Sequence, residues 1–451
     1  MKLKKYYNKQ QLLLLSAILL AVAPSCKKVI EIGNPKTEVA ASQIFSSDPA
    51  AVAGMVGIYA DMRSSWAGGS YNSVSANVSS SADEMQSNNV YFNNALIPTS
   101  SDYFWGPVYK DIYAANAMLQ GLAKPNGLSP AINTQLTGEA KFVRAFCYFY
   151  LVNFYGDVPL VTGTDWEQNT MVTRTPKQQV YNQIIADLKD AQTALPSVYT
   201  GKRSRPIKWT ATALLARAYL YTQQWADAEA QASAVIANTS LYSLPALNQV
   251  FLIASKEAIW QMSNDTNVAE DSQIFSPNPF PPYSSPLFAS TAARFSTNDL
   301  RLVNWITKIG TSCFPTKYKD NISSDGITEY SMVMRLAEQY LIRAEARAQL
   351  DKVTGTGSAQ TDVDAVRTRA GLSGTTAATK TDMLLAIEDE RLRELYTEWG
   401  HRWLDLKRTG RAVAVLQPLK PGFTSTKELF PIPQSQINND PAMAGQQNPG
   451  Y

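Results

Sequence analysis

Residues 209–236, WTATALLARAYLYTQQWADAEAQASAVI, contain the pattern that decides the fold. Apolar and small residues recur every three or four positions in each half of this stretch, and a few polar residues separate the halves. The two stripes are Ala211, Leu215, Ala218 and Thr222, and then Trp225, Ala228, Ala232 and Val235. This spacing is typical of amphipathic helices, and the alanines allow two helices to approach closely. The stretch therefore predicts a hairpin of two packed helices.

A second stretch, Met332–Leu350, carries the same kind of small-residue stripe. Its members are Ala337, Leu341, Ala344 and Ala348. Both stretches resemble tetratricopeptide repeats, whose helix pairs stack into a superhelix, although no fixed period of about 34 residues survives. We therefore predict a mainly α protein with a tetratricopeptide-like helical scaffold over about 101–240 and 330–410.

Two regions between the helical segments are irregular in composition. Residues 60–100 are rich in Ser and Asn, and residues 240–330 are rich in Pro and aromatic residues. Loops of this length are usually functional or disordered. We expect them to pack on the scaffold as loop-rich insertions with a few short strands, such as Glu257–Met262. Residues 411–451 form a C-terminal tail.

Two further helices carry local signals. The stretch Gly138–Tyr155 contains seven aromatic residues on all sides, which predicts a helix packed on more than one face. Arg144 lies within it and should have a carboxylate partner, because an unpaired buried cation is costly. The next helix should begin at Thr175–Gln178, with the Thr175 hydroxyl as its N-cap, and should end before Pro196.

The N-terminal segment has the order of an export signal. Four lysines precede an apolar run of twelve residues, Leu12 to Ala23, which is too short to span a bilayer. Ala23-Pro24-Ser25-Cys26 follows and resembles a bacterial lipobox. This resemblance implies a lipoprotein signal peptide over residues 1–25 and acyl chains on Cys26 that anchor the mature chain to a membrane. The alternatives are an ordinary secretory signal that is cut nearby and a signal that is not cleaved.

The composition excludes several kinds of function. Residues 26–451 contain 37 Lys and Arg, which is the chain's 41 less the four at the N-terminus, against 38 Asp and Glu. With this balance and no clustered basic stretch after residue 28, we do not expect a nucleic-acid partner. His401, the single histidine, and three cysteines cannot make an ordinary zinc site. No phosphate loop or nucleophile elbow is found, so we predict no metal, no cofactor and no nucleic-acid partner.

Two cysteines remain if Cys26 is acylated. Cys147 lies within the aromatic helix, which favours a buried free thiol. A disulfide between Cys147 and Cys313 is the alternative that an oxidising compartment would permit.

Acidic residues near the C-terminus form a cluster with two interpretations. Glu390, Glu394 and Glu398 recur every four residues, and Arg402 continues the series. Carboxylates stacked in this way repel unless arginines lie between them, so we predict an ion-pair network that fixes the scaffold. The alternative is the carboxylate pair of a glycosidase, but acids on successive turns of one helix stand side by side rather than across a bound sugar. We predict no catalytic residue.

Seven phrases spread along the chain resemble the SusD/RagB family of outer-membrane nutrient-binding lipoproteins. They are GEAKFVRAFCYFYLVNFYGDVPLV at 138–161, NDLR at 298–301, RLAEQYLIRAEARA at 335–348, DVDAVRTRAGL at 362–372, ERLRELYTEWGHRWLDLKRTG at 390–410, LFPIPQSQI at 429–437 and QNPGY at 447–451. The resemblance implies a tetratricopeptide-like scaffold that carries ligand-binding loops. It also implies a partner, a TonB-dependent barrel transporter of the SusC type, over which the lipoprotein closes as a lid.

A sugar-binding site needs an exposed aromatic platform beside amides or carboxylates, and binding groups tend to lie on loops held by a rigid scaffold. Six residues of the irregular regions fit this chemistry: Trp66, Tyr71, Asn89, Tyr91, Phe92 and Tyr283. The alternative is that these aromatic residues belong to a satellite core under the long loops.

We therefore predict that residues 26–451 form a single SusD-like body. It is expected to be a non-catalytic, lipid-anchored protein on the outside of the outer membrane, which captures oligosaccharides and delivers them to a SusC-type transporter. A peptide or another nutrient is the alternative ligand. Two alternatives from other classes are a surface glycoside hydrolase and a periplasmic tetratricopeptide scaffold.

Overall fold

The computed structural model describes residues 41–68, 72–263, 270–275, 277, 285–319 and 326–451. The chain divides into two compact units, Met1–Ile44 and Phe45–Tyr451. The described part of the first unit is the short helix α1 (Ala41–Ile44). All other elements named below belong to the second unit. Among the described helices, none is both long and apolar enough to cross a membrane.

Helices form most of the first half of the second unit. They are α2 (Asp48–Met62), α3 (Val74–Ser81), α4 (Trp105–Leu122), α5 (Pro130–Tyr155), α6 (Trp166–Asn169), α7 (Lys177–Ala194), α8 (Lys208–Tyr221) and α9 (Trp225–Ile236), with a π-helical turn at Arg63–Ala67. Helix α4 packs on α5, α5 on α7, α7 on α8 and α8 on α9. The predicted hairpin is confirmed by α8 and α9, which are joined by a turn in which Gln223 has a φ of 58°.

The second half continues the helical array. Its helices are α13 (Leu336–Gln349), α14 (Ala359–Arg369), α15 (Lys380–Leu395), α16 (His401–Arg408), α17 (Ala412–Leu416) and α18 (Gln434–Asn439). Helix α13 packs on α9, and α14 and α15 both pack on α13. The two halves therefore form one mainly α scaffold, as the small-residue stripes predict.

Short strands and short helices lie between the helices of the scaffold and in the tail. In the described residues, the strands form antiparallel pairs: β1 (Val158–Pro159) with β2 (Arg174–Thr175), β3 (Ala258–Met262) with β6 (Ser331–Arg335), and β4 (Ile306–Ile309) with β5 (Ser312–Pro315). The short helices are α10 (Glu270–Phe275), α11 (Ala289–Ala292) and α12 (Arg301–Trp305), and 3-10 turns lie at Leu247–Gln249, Ser425–Glu428 and Pro441–Met443. The strand predicted at Glu257–Met262 is confirmed by β3, which is buried throughout.

The aromatic helix α5 lies in the core. The ring centroid of Phe146 is 5.9 Å from that of Trp66, 5.2 Å from that of Trp260 and 5.6 Å from that of Trp399. These partners come from the π-helical turn, from β3 and from the segment before α16. Three distant segments thus pack on one helix, which confirms that α5 is packed on more than one face.

Arg144 on α5 has the predicted carboxylate partner. Its Nε and Nη2 donate to the carboxylate of Asp187 at 2.8 and 2.7 Å, and its Nη1 donates to Asn116 Oδ1 at 2.8 Å. Both charged side chains are buried. A bidentate pair of this kind offsets part of the cost of burying two charges, and it ties α5 to α7.

The start of α7 differs from the prediction, whereas its end before Pro196 agrees. The helix begins at Lys177, and Asp157 Oδ1 accepts a hydrogen bond from Lys177 N at 2.7 Å. Thr175 instead pairs with Val158 in the β1–β2 ladder. A carboxylate from the preceding loop therefore supplies the cap that the local sequence assigned to Thr175.

Helix α3 lies in a region predicted to be irregular. Its sequence, VSANVSSS, has no apolar period, and all eight residues are buried. Ser73 Oγ caps the helix by accepting from Ala76 N at 3.3 Å. The polar side chains return hydrogen bonds to the backbone, as when Ser80 Oγ donates to Ala76 O at 2.9 Å. Tertiary packing on every side, which a single helix period cannot reveal, explains the difference.

Candidate ligand-binding site

Residues 84–94 from the first loop region and residues 285–295 from the second are joined by backbone contacts. Phe288 N donates to Glu84 O at 3.1 Å. Further links are the hydrogen bond from Gln86 N to Pro286 O and the antiparallel bridge between Met85 and Leu287. The fold thus brings together the two loop regions that carry the predicted binding residues. We call this pair of segments the joined loops.

Two aromatic rings pack across the joined loops. The rings of Phe92 and Phe288 are stacked, with centroids 5.6 Å apart and planes 19° apart. Lys420 Nζ lies 4.9 Å from the Phe92 centroid and donates to the carbonyl oxygens of Ser80 and Ser81 at 2.7 and 3.0 Å. Burial lowers the pKa of Lys420 to about 7. This lysine therefore connects the C-terminal tail to the end of α3 beneath the aromatic pair.

Asn89 holds the turn that carries Phe92. Its Oδ1 accepts from Phe92 N at 2.8 Å, and its own carbonyl oxygen accepts from Asn93 Nδ2 at 3.2 Å. Asn89 and Phe92 are partly exposed, whereas Asn88 and Asn93 are exposed. The turn thus presents amide groups beside a partly exposed aromatic ring, which is the combination that a sugar ring requires.

The expectation that Trp66 forms an exposed platform is wrong. Its side chain is 0% exposed, and its indole Nε1 donates to Asp111 Oδ2 at 2.7 Å. Its ring lies 5.6 Å from that of Tyr150, between centroids, in an edge-to-face contact. Because both faces are covered by the core, the ring cannot stack on a ligand in this conformation.

Tyr91 is also placed in the core rather than on a platform. Its side chain is 4% exposed, and its ring makes edge-to-face contacts with Phe104 and Phe430 at 6.0 and 5.6 Å between centroids. In the turn 89–93, the chain therefore directs Tyr91 inwards and leaves Phe92 partly exposed.

Three predicted functional residues, Cys26, Tyr71 and Tyr283, lie outside the residues that the structure describes. Their roles stay predictions. In the sequence, Tyr283 precedes residue 285, where the described residues resume, by two positions.

Glu84 is a buried acid at the base of the joined loops. Its Oε1 accepts from Thr397 N at 3.1 Å, and its Oε2 has no hydrogen-bond partner among the described residues. Burial, followed by the charge of Asp83, raises the pKa of Glu84 to about 8. The neighbouring Asp83 is held by Arg402 Nε and Nη2 at 2.7 and 2.9 Å. Glu84 is therefore protonated at neutral pH.

Replacing Glu84 with glutamine is expected to flatten the dependence of stability on pH. The folded-state pKa lies above the ordinary value of 4.5, so the stabilisation by Glu84 is complete below pH 4.5 and is lost as pH rises towards 8. Between these limits, the free energy of unfolding of the wild type should fall by up to about 1.4 kcal/mol per pH unit relative to that of Glu84→Gln. Urea unfolding of both proteins at pH 5, 6.5 and 8 measures this difference. The same pH dependence of the free energy of unfolding in both proteins would contradict this prediction.

The acidic cluster near the C-terminus is not arranged on one helix, which corrects the sequence prediction. Helix α15 ends at Leu395, and Thr397, Trp399 and Gly400 then have positive φ values of 57°, 48° and 69°. Tyr396, with a ψ of 144°, ends the helical path before these left-handed residues, so Glu398 lies beyond the helix and Arg402 lies in α16. The i, i+4 spacing therefore continues in the sequence but not in space.

Glu394 is the centre of a buried ion-pair network. It accepts from Arg301 Nη1 at 3.0 Å, from Arg335 Nη1 at 2.5 Å and from Arg369 Nη2. Burial alone would raise the pKa of Glu394, but the three guanidinium groups hold it below its ordinary value. Other pairs of the network join Glu390 to Arg301, Arg367 and Arg393, and Glu398 to Lys317 and Arg335. A carboxylate fixed in this ionised form cannot act as a general acid, so the geometry favours the scaffold role.

Sequence reasoning missed Phe288 and Lys420. Phe288 follows the Pro-rich stretch 277–286, and this proximity is a signal that could have identified it. Lys420 has no local signal, because its ammonium group donates hydrogen bonds to residues more than 300 positions earlier.

The cysteines and acids of the described residues offer no metal site. Within those residues, no group of three or more His, Cys, Asp and Glu could hold a metal ion. Cys147 and Cys313 are both free, and Cys147 is buried. The free-thiol interpretation of Cys147 is therefore the correct one.

Stacked helical hairpins that support a pair of joined loops define a helical-scaffold protein with a loop-borne candidate site. Residues 38–220 match the model of a SusD-like family described as starch-binding and associating with the outer membrane, and residues 289–451 match the model of the SusD family. The chain belongs to the SusD/RagB family.

Relatives and solved structures agree with this assignment. SusD-like protein P25 of Formosa agariphila is 27% identical over 75% of this chain and 77% of its own. A laminarin-binding SusD-like protein shares the fold with a TM-score of 0.76 at 24% identity, covering 90% of this chain and 100% of its own. Surface glycan-binding protein A from Bacteroides uniformis does so with a TM-score of 0.77 at 23% identity, covering 89% of this chain and 99% of its own.

Proposed function

We propose that this protein captures glycans at the joined loops and delivers them to a TonB-dependent SusC-type transporter, over which it closes as a lid. The observation that carries the proposal is the contact between segments 84–94 and 285–295. It places the partly exposed Phe92 and the amides of Asn88, Asn89 and Asn93 on one loop pair. The names of the structural neighbours, laminarin-binding and surface glycan-binding, support a glycan as the ligand.

The proposed function requires no chemistry on the ligand. The acids that suggested a glycosidase, Glu390, Glu394 and Glu398, are each paired with buried arginines or a lysine. Catalytic carboxylates of glycosidases must instead face the substrate from two sides, with one of them protonated. We therefore propose a binding protein that releases its ligand unchanged, which product analysis after incubation with laminarin and soluble starch would test.

We further propose that acyl chains on Cys26 hold the protein on the outer face of the outer membrane. The lipobox-like order of residues 23–26 supports this, and so does the description of the family as associating with the outer membrane. Capture of the tagged protein from solubilised outer membranes should recover a barrel-sized transporter. A Cys26→Ser variant, which cannot be acylated, serves as the control and should appear in the soluble fraction. Recovery without a barrel partner would favour a periplasmic scaffold instead.

Phe92→Ala should weaken glycan binding. Loss of an aromatic ring that contacts a ligand typically costs about 1–3 kcal/mol, which corresponds to roughly 5- to 150-fold in Kd. Calorimetry with laminarin and soluble starch measures the change.

Tyr113→Ala removes an exposed aromatic ring on α4, outside the joined loops, and serves as the matched control that should bind as the wild type does. Equal affinities of wild type and Phe92→Ala would exclude the joined loops as the site. Binding of peptides but of neither glycan would favour the peptide alternative.

A further inference from the structure

A cavity of about 560 Å³ lies apart from the joined loops. It is lined by the C-terminal end of α5, the first residue of α7, the last turn of α16 and the tail after residue 425. Its volume falls within the range of about 300–1,000 Å³ that is common for small-molecule sites. The volume alone does not indicate a class of ligand, but the charged residues that line the cavity do.

Basic side chains outnumber acidic ones in this wall. The charged residues are Asp157, Arg174, Lys177, Lys407, Arg408 and Glu428. Arg408 is neutralised from outside the cavity, because Glu345 accepts from its Nη1 and Nη2 at 2.5 and 2.7 Å. Among the described residues, Arg174 donates to neutral oxygens, such as Gln446 O at 2.9 Å, and forms no ion pair with a carboxylate. Three basic groups therefore face two acidic ones.

Lys177 and Lys407 account for the excess of basic groups in the cavity wall. Lys407 Nζ donates to Asn153 O and lies 5.4 Å from the Trp403 ring centroid, and Lys177 Nζ lies 5.8 Å from that of Tyr181. Neither ammonium group forms an ion pair with an acid of the described residues. Burial, and then repulsion by Lys177, lower the pKa of Lys407 to about 7, while Glu428 opposes this shift. The two positive groups are thus close enough to disfavour each other.

The position of Lys177 at the start of a helix also disfavours its positive charge. It is the first residue of α7, an eighteen-residue helix, and the N-terminus of a helix carries a partial positive charge that disfavours a lysine. Asp157 supplies a carboxylate at this end, and its Oδ1 accepts from Lys177 N. A position that raises the energy of the free protein in this way is expected where a ligand compensates for it.

From this charge arrangement we infer that the cavity binds an oxyanion group, a carboxylate, sulfate or phosphate, between Lys177 and Lys407. An oxyanion would pair with both ammonium groups. The inference is independent of glycan binding at the joined loops, since it rests on a different cavity and on charge complementarity.

Calorimetry at low ionic strength with sodium glucuronate, sodium sulfate and sodium phosphate tests this inference, with glucose as the uncharged control. We expect binding of at least one anion and none of glucose. Lys177→Gln should weaken that binding at least fivefold, and Lys407→Gln should weaken it at least tenfold. Lys189→Gln changes an exposed lysine further along α7 and should leave the affinity unchanged.

The possible outcomes identify the class of anion that binds, and they distinguish a failure of this inference from a failure of the proposed glycan binding. Binding of glucuronate alone would indicate a carboxylate site, whereas binding of sulfate and phosphate as well would indicate a general oxyanion site. If Lys407→Gln does not fold, the exposed Lys177 decides the result. Absence of binding by all three anions, or an unchanged affinity in Lys177→Gln, would overturn the inference, and the effect of Phe92→Ala on glycan binding would be unaffected in either case.

Discussion

Replacing Arg335 with methionine is expected to lower the free energy of unfolding by about 3–5 kcal/mol, the cost of removing one partner from a buried ion pair. Arg335 is 1% exposed and donates to Glu257 at 2.7 Å, to Glu394 at 2.5 Å and to Glu398 at 2.7 Å. It thereby joins the end of β6 to the residue before β3 and to the end of α15. Without it, the three carboxylates share fewer positive partners in the core.

Arg294→Met is the matched control for this prediction. Arg294 Nη1 also contacts a carboxylate, Asp389, at 2.9 Å, but its side chain is 49% exposed. Exposed pairs of this kind contribute about 0–1 kcal/mol. Urea unfolding at neutral pH measures the free energy of unfolding of both variants. A decrease of less than about 1 kcal/mol in Arg335→Met would contradict the prediction, and would mean that the remaining positively charged side chains of the network compensate for the loss of Arg335.

Trp66→Ala is expected to destabilise the protein by about 3–5 kcal/mol, as is typical when a buried tryptophan is truncated. The change removes ring contacts with Phe146 and Tyr150 and leaves Asp111 without its indole donor. Burial raises the pKa of Asp111 to about 7, and the hydrogen bond from Trp66 opposes this shift. The pKa of Asp111 should therefore rise further in the variant.

Trp166→Ala provides the comparison, because Trp166 is 71% exposed and lies on the short helix α6. Its truncation should change the free energy of unfolding by no more than about 0.5 kcal/mol. Thermal and urea unfolding measure both variants. A folded Trp66→Ala protein of wild-type stability that no longer binds glycans would restore the original prediction of a ligand contact.

The helical scaffold could be predicted because its signals are local. The stripes of 209–236 specify two helices and the faces on which they pack, since side chains three and four positions apart share a face. Arg144 could be assigned a partner type, a carboxylate, because a buried cation needs one. Its particular partner, Asp187 on the neighbouring α7, depends on how the helices pack and could not be read from the helix itself.

The candidate site was only partly predictable. The sequence identified the loop turn that contains Asn89 and Phe92 and the Pro-rich region that leads to Phe288. It could not distinguish Phe92, which is partly exposed, from Tyr91, which is buried, because adjacent residues of a turn have the same local chemistry. That difference arises from Phe104 and Phe430, which cover Tyr91 and come from distant parts of the chain.

By itself, the sequence determined the stacked helices of the scaffold, the family and the kinds of residue in its loops, because these depend on periodicity and on short motifs. Only the tertiary structure decided that Glu398 leaves the helix of Glu390, that Trp66 faces Asp111, and that Lys177 and Lys407 share a cavity. These features join residues that are far apart in the chain. Their burial and pairing depend on partners that no local pattern specifies.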